Sequence, residues 1–338
     1  MPKNDPIEAL FASKQGTGAP PLILAPMAGV TDAPFRYLAR KYGADMAVSE
    51  MIASQAMVRN VGKSLRMSDT LADKPETPLA VQIAGGDPEV LSEAARMNVE
   101  RGAEIIDINM GCPVKKIVKG QAGAALLRDE ALVARIIRAV VAAVAVPVTV
   151  KIRLGWDDET RNALRIAAIA QEEGARLLTV HGRTRAQMYR GSADWDAIAQ
   201  VKASTALPVV GNGDITDAED AAAKWRASGV DALMIGRGAM GRPWLFRQID
   251  ELLRYGKQPQ EPGVAERYAI AREHLQLLLD FHGAVSGNRL ARKHLAWYTR
   301  GLRGGAAFRD AVNHSEDPLG TLQLLDDFFA PLLEAQTV

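Results

Sequence analysis

Residues 146–181 read VPVTVKIRLGWDDETRNALRIAAIAQEEGARLLTVH, and the fold follows from how this stretch is punctuated. An apolar, β-branched run, Val146–Ile152, precedes RNALRIAAIAQEEG, whose apolar residues recur at three- and four-residue spacing and which closes on Gly174. A second run of the first kind, Leu177–His181, follows. Strand, helix and strand of these lengths make a βαβ unit, with parallel strands covered on both faces. Working outward, the same alternation appears upstream at Leu22–Pro26, Met46–Glu50, Leu79–Ile83 and Glu104–Asn109, and downstream at Leu207–Asn212 and Ala232–Gly236. Helical text such as PEVLSEAARMNVERG and DEALVARIIRAVVAAV lies between. Eight such runs predict an α/β fold, a closed (β/α)8 TIM barrel of roughly 250 residues. Its last helix, PWLFRQIDELLRYG, closes on Gly256. KQPQEPGV then reads as a linker. Beyond it only helical patterns remain, at Ala269–Phe281, Asn288–Arg300 and Thr321–Leu333, the last containing Pro331. The expected division is a barrel over 1–256 and a small helical bundle over 257–338.

Composition narrows the function classes. Apolar residues make up 48% and charged residues 24%, as in an ordinary globular chain. Forty-one Lys and Arg against forty Asp and Glu exclude a wholly basic nucleic-acid binder, though not a local basic face. One cysteine, Cys112, permits neither an internal disulfide nor a cysteine-based metal centre, and no metal site is expected. The opening MPKNDPIEALFASKQ lacks the apolar core of a signal peptide, and the longest apolar run, Ala139–Val150, has 12 residues including Pro147, too short to span a bilayer. A cytoplasmic protein without membrane association is expected.

In TIM barrels chemistry gathers at the C-terminal ends of the strands. Here those ends are polar or glycine-rich. The first run leads into Pro26-Met27-Ala28-Gly29-Val30-Thr31-Asp32, the third contains Gln82, and the fourth ends Asn109-Met110-Gly111-Cys112-Pro113. The fifth carries Lys151 and Arg153, and the sixth ends His181-Gly182-Arg183-Thr184-Arg185. Gly211-Asn212-Gly213-Asp214 and Gly236-Arg237-Gly238 end the last two. Loops after the seventh and eighth strands are the usual phosphate site of this fold, where glycines let backbone N–H groups face the anion and Arg237 adds a forked cation. No P-loop or Rossmann fingerprint is present, so a phosphate-bearing cofactor across the barrel mouth fits better. Lys151, inside a strand, either forms a salt bridge within the barrel or faces the negative charge of a reduced cofactor ring. Cys112 is either a small buried hydrophobe or an acid or nucleophile, and His181 a ligand contact or a satisfied histidine. His274, His282, His294 and His314 lie outside the barrel and are given no chemistry.

Together these segments resemble the tRNA-dihydrouridine synthases, most nearly the bacterial B-type members. The likeness runs through APMAGVTDAPFR, VSEM, VQIAGGDP, IIDINMGCPVKKIVKGQAGAALL, VTVKIRLGW, TVHGRTR, GNGDIT, MIGRGAMGRPW and RLARKHLAWY, and DINMGCP is its most specific part. The resemblance implies a barrel that binds FMN, NADPH or NADH as electron donor, and tRNA as the substrate partner. It implies reduction of the C5–C6 double bond of a D-loop uridine to 5,6-dihydrouridine. It places FMN against Pro26, Met27, Ala28, Gln82, Lys151, His181, Asn212, Gly213, Asp214, Gly236 and Arg237, and makes Cys112 the proton donor to C5. Asn109 and Arg153 become contacts to the target uracil, with Arg183 a further substrate-side cation. A small-molecule flavin reductase would need neither DINMGCP nor the basic helices, and a non-catalytic RNA-binding barrel would need no flavin.

The net charge hides a separation. Residues 285–309 hold six Lys or Arg and no acid, whereas 310–338 hold six acids and no Lys or Arg. At helical spacing Arg289, Arg292, Lys293 and Arg300 share an arc of about 100°. A solvated face would look the same, but the absence of acids favours a stripe that follows tRNA phosphates and stands clear of the barrel.

Overall fold

The computed structural model describes residues 5–59, 62 and 66–335. Its strands are β1 (Leu22–Leu24), β2 (Met46–Ala47), β3 (Ile52–Ala53), β4 (Ala80–Ala84), β5 (Ile105–Met110), β6 (Val148–Arg153), β7 (Leu177–His181), β8 (Val209–Asn212) and β9 (Ala232–Ile235). All nine belong to one sheet in the order β2-β1-β9-β8-β7-β6-β5-β4-β3, and every pairing is parallel. Val48, one residue past β2, bridges in parallel to Ala80 of β4, which joins the two ends of the sheet and closes the barrel. Nine strands therefore make eight staves, the second of them broken into β2 and β3.

That break corrects the single strand expected over Met46–Glu50. The Ser49 amide still donates to the Ala80 carbonyl, but the Gln82 amide donates to the Ser49 hydroxyl at 3.1 Å instead of to a backbone carbonyl. The Glu50 side chain turns away to the amide of Gly29. A hydroxyl standing in for a carbonyl interrupts the ladder without leaving a buried amide unpaired.

Around the barrel run α1 (Pro6–Ala12), α2 (Ala33–Lys41), α3 (Ser54–Val58), α4 (Pro88–Glu100), α5 (Lys115–Lys119), α6 (Glu130–Ala143), α7 (Ala163–Glu172), α8 (Trp195–Ser204), α9 (Ala218–Ser228) and α10 (Leu245–Tyr255). Five of the strand-to-helix loops end in an aspartate whose carboxylate accepts first-turn amides: Asp32, Asp87, Asp129, Asp194 and Asp217. Each such cap is worth about 1 kcal/mol and fixes where its loop stops and its helix begins. Most of these helices, α5 and α1 excepted, bury one face against the outside of the sheet. The barrel interior is a separate layer in which Ile23, Met46, Val48, Ile105, Leu177, Val210 and Met234 interdigitate, closed from the N-terminal end by Ile7 and Leu10 of α1. No motif in the sequence marks α1. Asp5 caps it and Pro6 opens it, and of the opening residues 1–4 lie outside those described.

Gly256, left-handed at φ 65°, ends α10, and residues 257–263 carry no helix or strand. Then follow α11 (Val264–His282), α12 (Ala284–Tyr298), α13 (Gly305–His314) and α14 (Pro318–Glu334, with Pro331 inside it). Three of these match expected helices with shifted ends. α13 was not expected, because GAAFRDAVNH opens on a glycine without a capping side chain. These helices share a core of their own around Leu275, Leu278, Leu295, Phe308, Leu325 and Phe329, which Trp244 from the barrel side joins. Among the described residues no helix is long and apolar enough to cross a membrane.

Candidate active site at the barrel mouth

The C-terminal ends of the strands surround a cavity of about 740 Å³. Pro26, Met27 and Ala28 enter it from the loop after β1, Gln82 from β4, Asn109 and Cys112 from the end of β5, and Lys151 and Arg153 from β6. His181 from β7, Asn212, Gly213 and Asp214 from β8 and its loop, and Gly236 and Arg237 after β9 complete the ring. Every residue assigned from the sequence to the cofactor or to catalysis thus lines one cavity, as do Asn109 and Arg153. A larger hollow of about 1090 Å³ lies at the opposite end of the barrel, between α1 and residues such as Leu207, Trp225 and Asp231, and none of these residues reaches it.

A hydrogen-bonded chain forms the floor. Thr149 Oγ1 donates to Asp107 Oδ1 and Gln82 Nε2 to Asp107 Oδ2, each at 2.6 Å. Asn109 Nδ2 donates to Gln82 Oε1 at 2.7 Å, and Asn109 Oδ1 accepts from the amides of Gly111 and Cys112 at 3.1 and 2.8 Å. The order of donors is forced. A carboxylate can only accept, so Gln82 must turn its amide nitrogen toward Asp107 and its oxygen toward Asn109. Asp107, fully buried, was missed in the sequence, where it reads as one more residue of EIIDIN. A carboxylate inside an apolar strand is the signal that would have found it. Burial raises its pKa, while the Thr149 and Gln82 bonds and Lys151 pull the other way.

Cys112 sits at the far end of this chain. Its carbonyl accepts from the Ala124 amide at 3.0 Å, in a turn that needs Gly123, since a Cβ there would stand 2.7 Å from the Cys112 oxygen. Burial pushes the thiol above its ordinary pKa, against the Val114 amide, Arg153 and Lys151. The group is a protonated thiol at neutral pH, which suits an acid and not a thiolate nucleophile.

The adjoining wall is cationic. Lys151 Nζ donates to Asn212 Oδ1 at 3.0 Å; burial, with Arg153 beside it, brings its pKa down to about 8 despite Asp107. Burial also brings Arg153 down to about 10, Tyr189 opposing and Arg183 reinforcing the shift. Burial, then Lys151, Arg153, Arg183 and Arg237, hold His181 well below its usual value and therefore neutral. Burial would raise Asp214, but the Arg183 bond, the Ala193 amide and Arg237 outweigh it and keep the carboxylate ionised.

Not every assigned residue faces the cavity. Arg183 was expected on the substrate side, yet it is 2% exposed. Both its terminal nitrogens bond Asp214, at 2.9 and 2.6 Å, and it also holds the carbonyls of Arg190 and Gly191. A buried guanidinium needs this forked carboxylate partner, so Arg183 braces the loop after β8 from behind. Arg153 lines the cavity but spends Nε on the Gly111 carbonyl and Nη1 on those of Thr184 and Met188, clamping two loops together. The basic stripe on α12 is divided. Arg289 is exposed, Arg300 is exposed but lies past the end of α12 at Tyr298 and so leaves the helical arc, Arg292 donates to the Ser315 carbonyl at 2.7 Å, and Lys293 reaches the Gly29 carbonyl of the barrel, so the stripe does not stand clear of it. Tyr189 was missed. It is 52% exposed, with the guanidinium of Arg237 4.8 Å and that of Arg153 5.5 Å from its ring centre.

The family model described as dihydrouridine synthase matches residues 23–333, spanning the barrel mouth and the C-terminal helices alike. The chain belongs to the dihydrouridine synthase family. A probable tRNA-dihydrouridine synthase of Rickettsia conorii is 49% identical over 93% of this chain and 94% of its own length. The tRNA-dihydrouridine synthase B of Pseudomonas aeruginosa is 51% identical over 91% of this chain and 92% of its own. Among solved structures, histamine dehydrogenase from Rhizobium sp. 4-9 superposes with a TM-score of 0.55 at 14% identity, over 93% of this chain and 62% of its own, a likeness of fold. This dihydrouridine synthase family member is thus a TIM barrel followed by helices, with the assigned cofactor and catalytic residues at one mouth.

Proposed function

We propose that the chain is a tRNA-dihydrouridine synthase that uses FMN and takes electrons from NADPH or NADH to reduce a D-loop uridine of tRNA. The observation that carries this reading is the place of Cys112, on the rim of one cavity that Lys151, Arg153 and Arg237 also line. FMN fits what the cavity needs. Lys151 and Arg153 both have lowered affinity for protons because burial leaves them short of counter-charge, and an anionic ring edge and phosphate would supply it. Gly236 and Gly213 keep the loops after β8 and β9 bare; a Cβ on Gly236 would meet nothing nearer than Ala25 at 3.6 Å, which leaves backbone for a phosphate to approach. When bound, FMN supplies the hydride that goes to C6 of the uracil.

The protein's own part is orientation and a proton. Gln82, Asn212 and Lys151 would hold the ring, and Arg237 the phosphate. Cys112 gives its proton to C5, and the Asn109 bond to its amide fixes where the thiol stands. A uridine in folded RNA must leave its stack to reach the mouth, at a cost of a few kcal/mol. Exposed Arg289 on α12 and Arg300 just past its end would offset that cost by gripping phosphates. The division at 256/257 then separates chemistry from grip, and a tRNA substrate places the protein in the cytoplasm. The test supplies FMN-loaded protein and NADPH with unmodified tRNA or with a small enone. NADPH consumption driven by tRNA supports the reading, and consumption driven only by the enone replaces it with a small-molecule reductase.

A further inference from the structure

The loop that brings Pro26, Met27 and Ala28 to the cavity is short of support. β1 ends at Leu24, Ala28 and Gly29 are exposed, and the turn is held internally by the Val30 and Thr31 amides on the Met27 carbonyl and by the Met27 amide on Thr31 Oγ1. At its tip Gly29 adopts φ 75°, a left-handed conformation that glycine tolerates. Two charged side chains from distant parts of the chain grip this one residue. Glu50, from the broken second stave, accepts from the Gly29 amide, and Lys293, from α12, donates to the Gly29 carbonyl. A second tie runs beside them: His282 Nε2 lies 2.8 Å from Asp32 Oδ2, while Asp32 Oδ1 caps α2.

We propose that Lys293 is a positioning residue, which reaches out of the C-terminal helices to hold the Gly29 carbonyl and so keeps the loop after β1 in the shape that lines the cofactor cavity. Lys293 does not behave as its neighbours on the stripe do. Arg289 and Arg300 are exposed, whereas Lys293 is half-buried and points at the barrel. Burial lowers its proton affinity, and Asp32 and Glu50 offset part of that loss. A lysine that tracks phosphates keeps its ammonium in water; this one is committed to a backbone oxygen with carboxylates on either side. Opposite charges at the two ends of the Gly29 residue reinforce each other, so deleting one weakens the hold of the other. The C-terminal helices and the loop that lines the cavity are thereby tied through Lys293, beside the His282–Asp32 contact. The consequence for FMN rests on the flavin reading above; the hold on the loop does not.

The experiment compares wild type, Lys293→Met and Lys293→Arg in three measurements. Hydrogen exchange of the 27–32 segment is read in the apoprotein, FMN affinity by quenching of flavin fluorescence, and tRNA affinity across a salt series. Lys293→Met should speed exchange of the segment about tenfold and loosen FMN by a similar factor, as expected for one lost charge-assisted bond, and Lys293→Arg should restore most of both. The slope of tRNA affinity against salt should not change. If Lys293→Met fails to fold, Glu50→Gln tests the same grip from its other end and should speed the same exchange. If wild type takes up no FMN, the flavin reading fails while the exchange result still decides the loop. Unchanged exchange together with a salt slope reduced by about one unit would make Lys293 a phosphate contact and overturn the proposal.

Discussion

Lys151 shows most plainly how a single residue ties the fold to the chemistry. VTVKI puts it on a strand, the barrel buries it, and burial brings its pKa to about 8. An anion binds the protonated form, so FMN affinity should fall as pH rises through about 8, by up to about tenfold per unit, and Lys151→Met should abolish that dependence. Flavin titrations at several pH values check the sign. Asp107 is the second test at this scale. Asp107→Asn replaces an acceptor with an amide that must present N–H to either Gln82 or Thr149, both of which already donate there. The variant should lose about 1–3 kcal/mol of stability and bind FMN more weakly through a misoriented Gln82, measured by thermal melting and titration. Lys151 was legible because a lone cation in an apolar strand has few explanations. Asp107 was as conspicuous by the same rule and opens DINMGCP itself, but that segment speaks most plainly at its strand end, Asn109 to Cys112.

Single elements divide into those that local chemistry determines and those that their packing partner determines. Most strands were legible because short apolar, β-branched runs alternating with helical text are a local signal. The break between β2 and β3 was not, since it depends on a hydroxyl replacing a carbonyl across a ladder. Nor was the split of the α12 stripe: a helical arc says which side chains share a face, not which neighbour occupies it. The same helix carries one half of a buried pair, and α11 carries the other. His294 and His274 lie 4.3 Å apart between ring centres; His274 stacks on Phe35 of α2 and His294 packs against it at a tilt, and among the described residues neither His294 ring nitrogen has a hydrogen-bond partner. Burial lowers His274 to about 4 and His294 well below its usual value, so both are neutral in the fold. The unfolded chain takes up protons near pH 6.5 that the folded chain refuses, so these residues leave stability intact above about 6.5 and erode it as pH falls toward about 4. His294→Leu should flatten the melting temperature between about pH 6.5 and 5 without lowering it at neutral pH. A steeper acid slope in that variant would refute the account of this interface.

Over the whole molecule, a near-zero net charge conceals two functional distributions. Around the cavity stand Lys151, Arg153 and Arg237 against one lining carboxylate, Asp214, already engaged by Arg183 and Arg237. Outside it, α12 exposes Arg289, and the turn after it exposes Arg300. Replacing both with Ala should weaken tRNA binding at all sequences and reduce its salt slope by about two units, leaving FMN affinity alone. Parallel salt titrations would mark a merely solvated surface. The central claim joins these parts: the mouth holds a flavin, a flipped uridine is reduced there, and Cys112 supplies its proton. The direct measurement is nucleoside mass spectrometry of unmodified tRNA incubated with NADPH and FMN-loaded protein, wild type beside Cys112→Ala. Wild type should convert a D-loop uridine to dihydrouridine, and the variant should make about 10²-fold less while keeping its FMN and its oxidation of NADPH by oxygen. Equal yields from the two proteins, or no dihydrouridine from wild type that oxidises NADPH normally, would contradict the account.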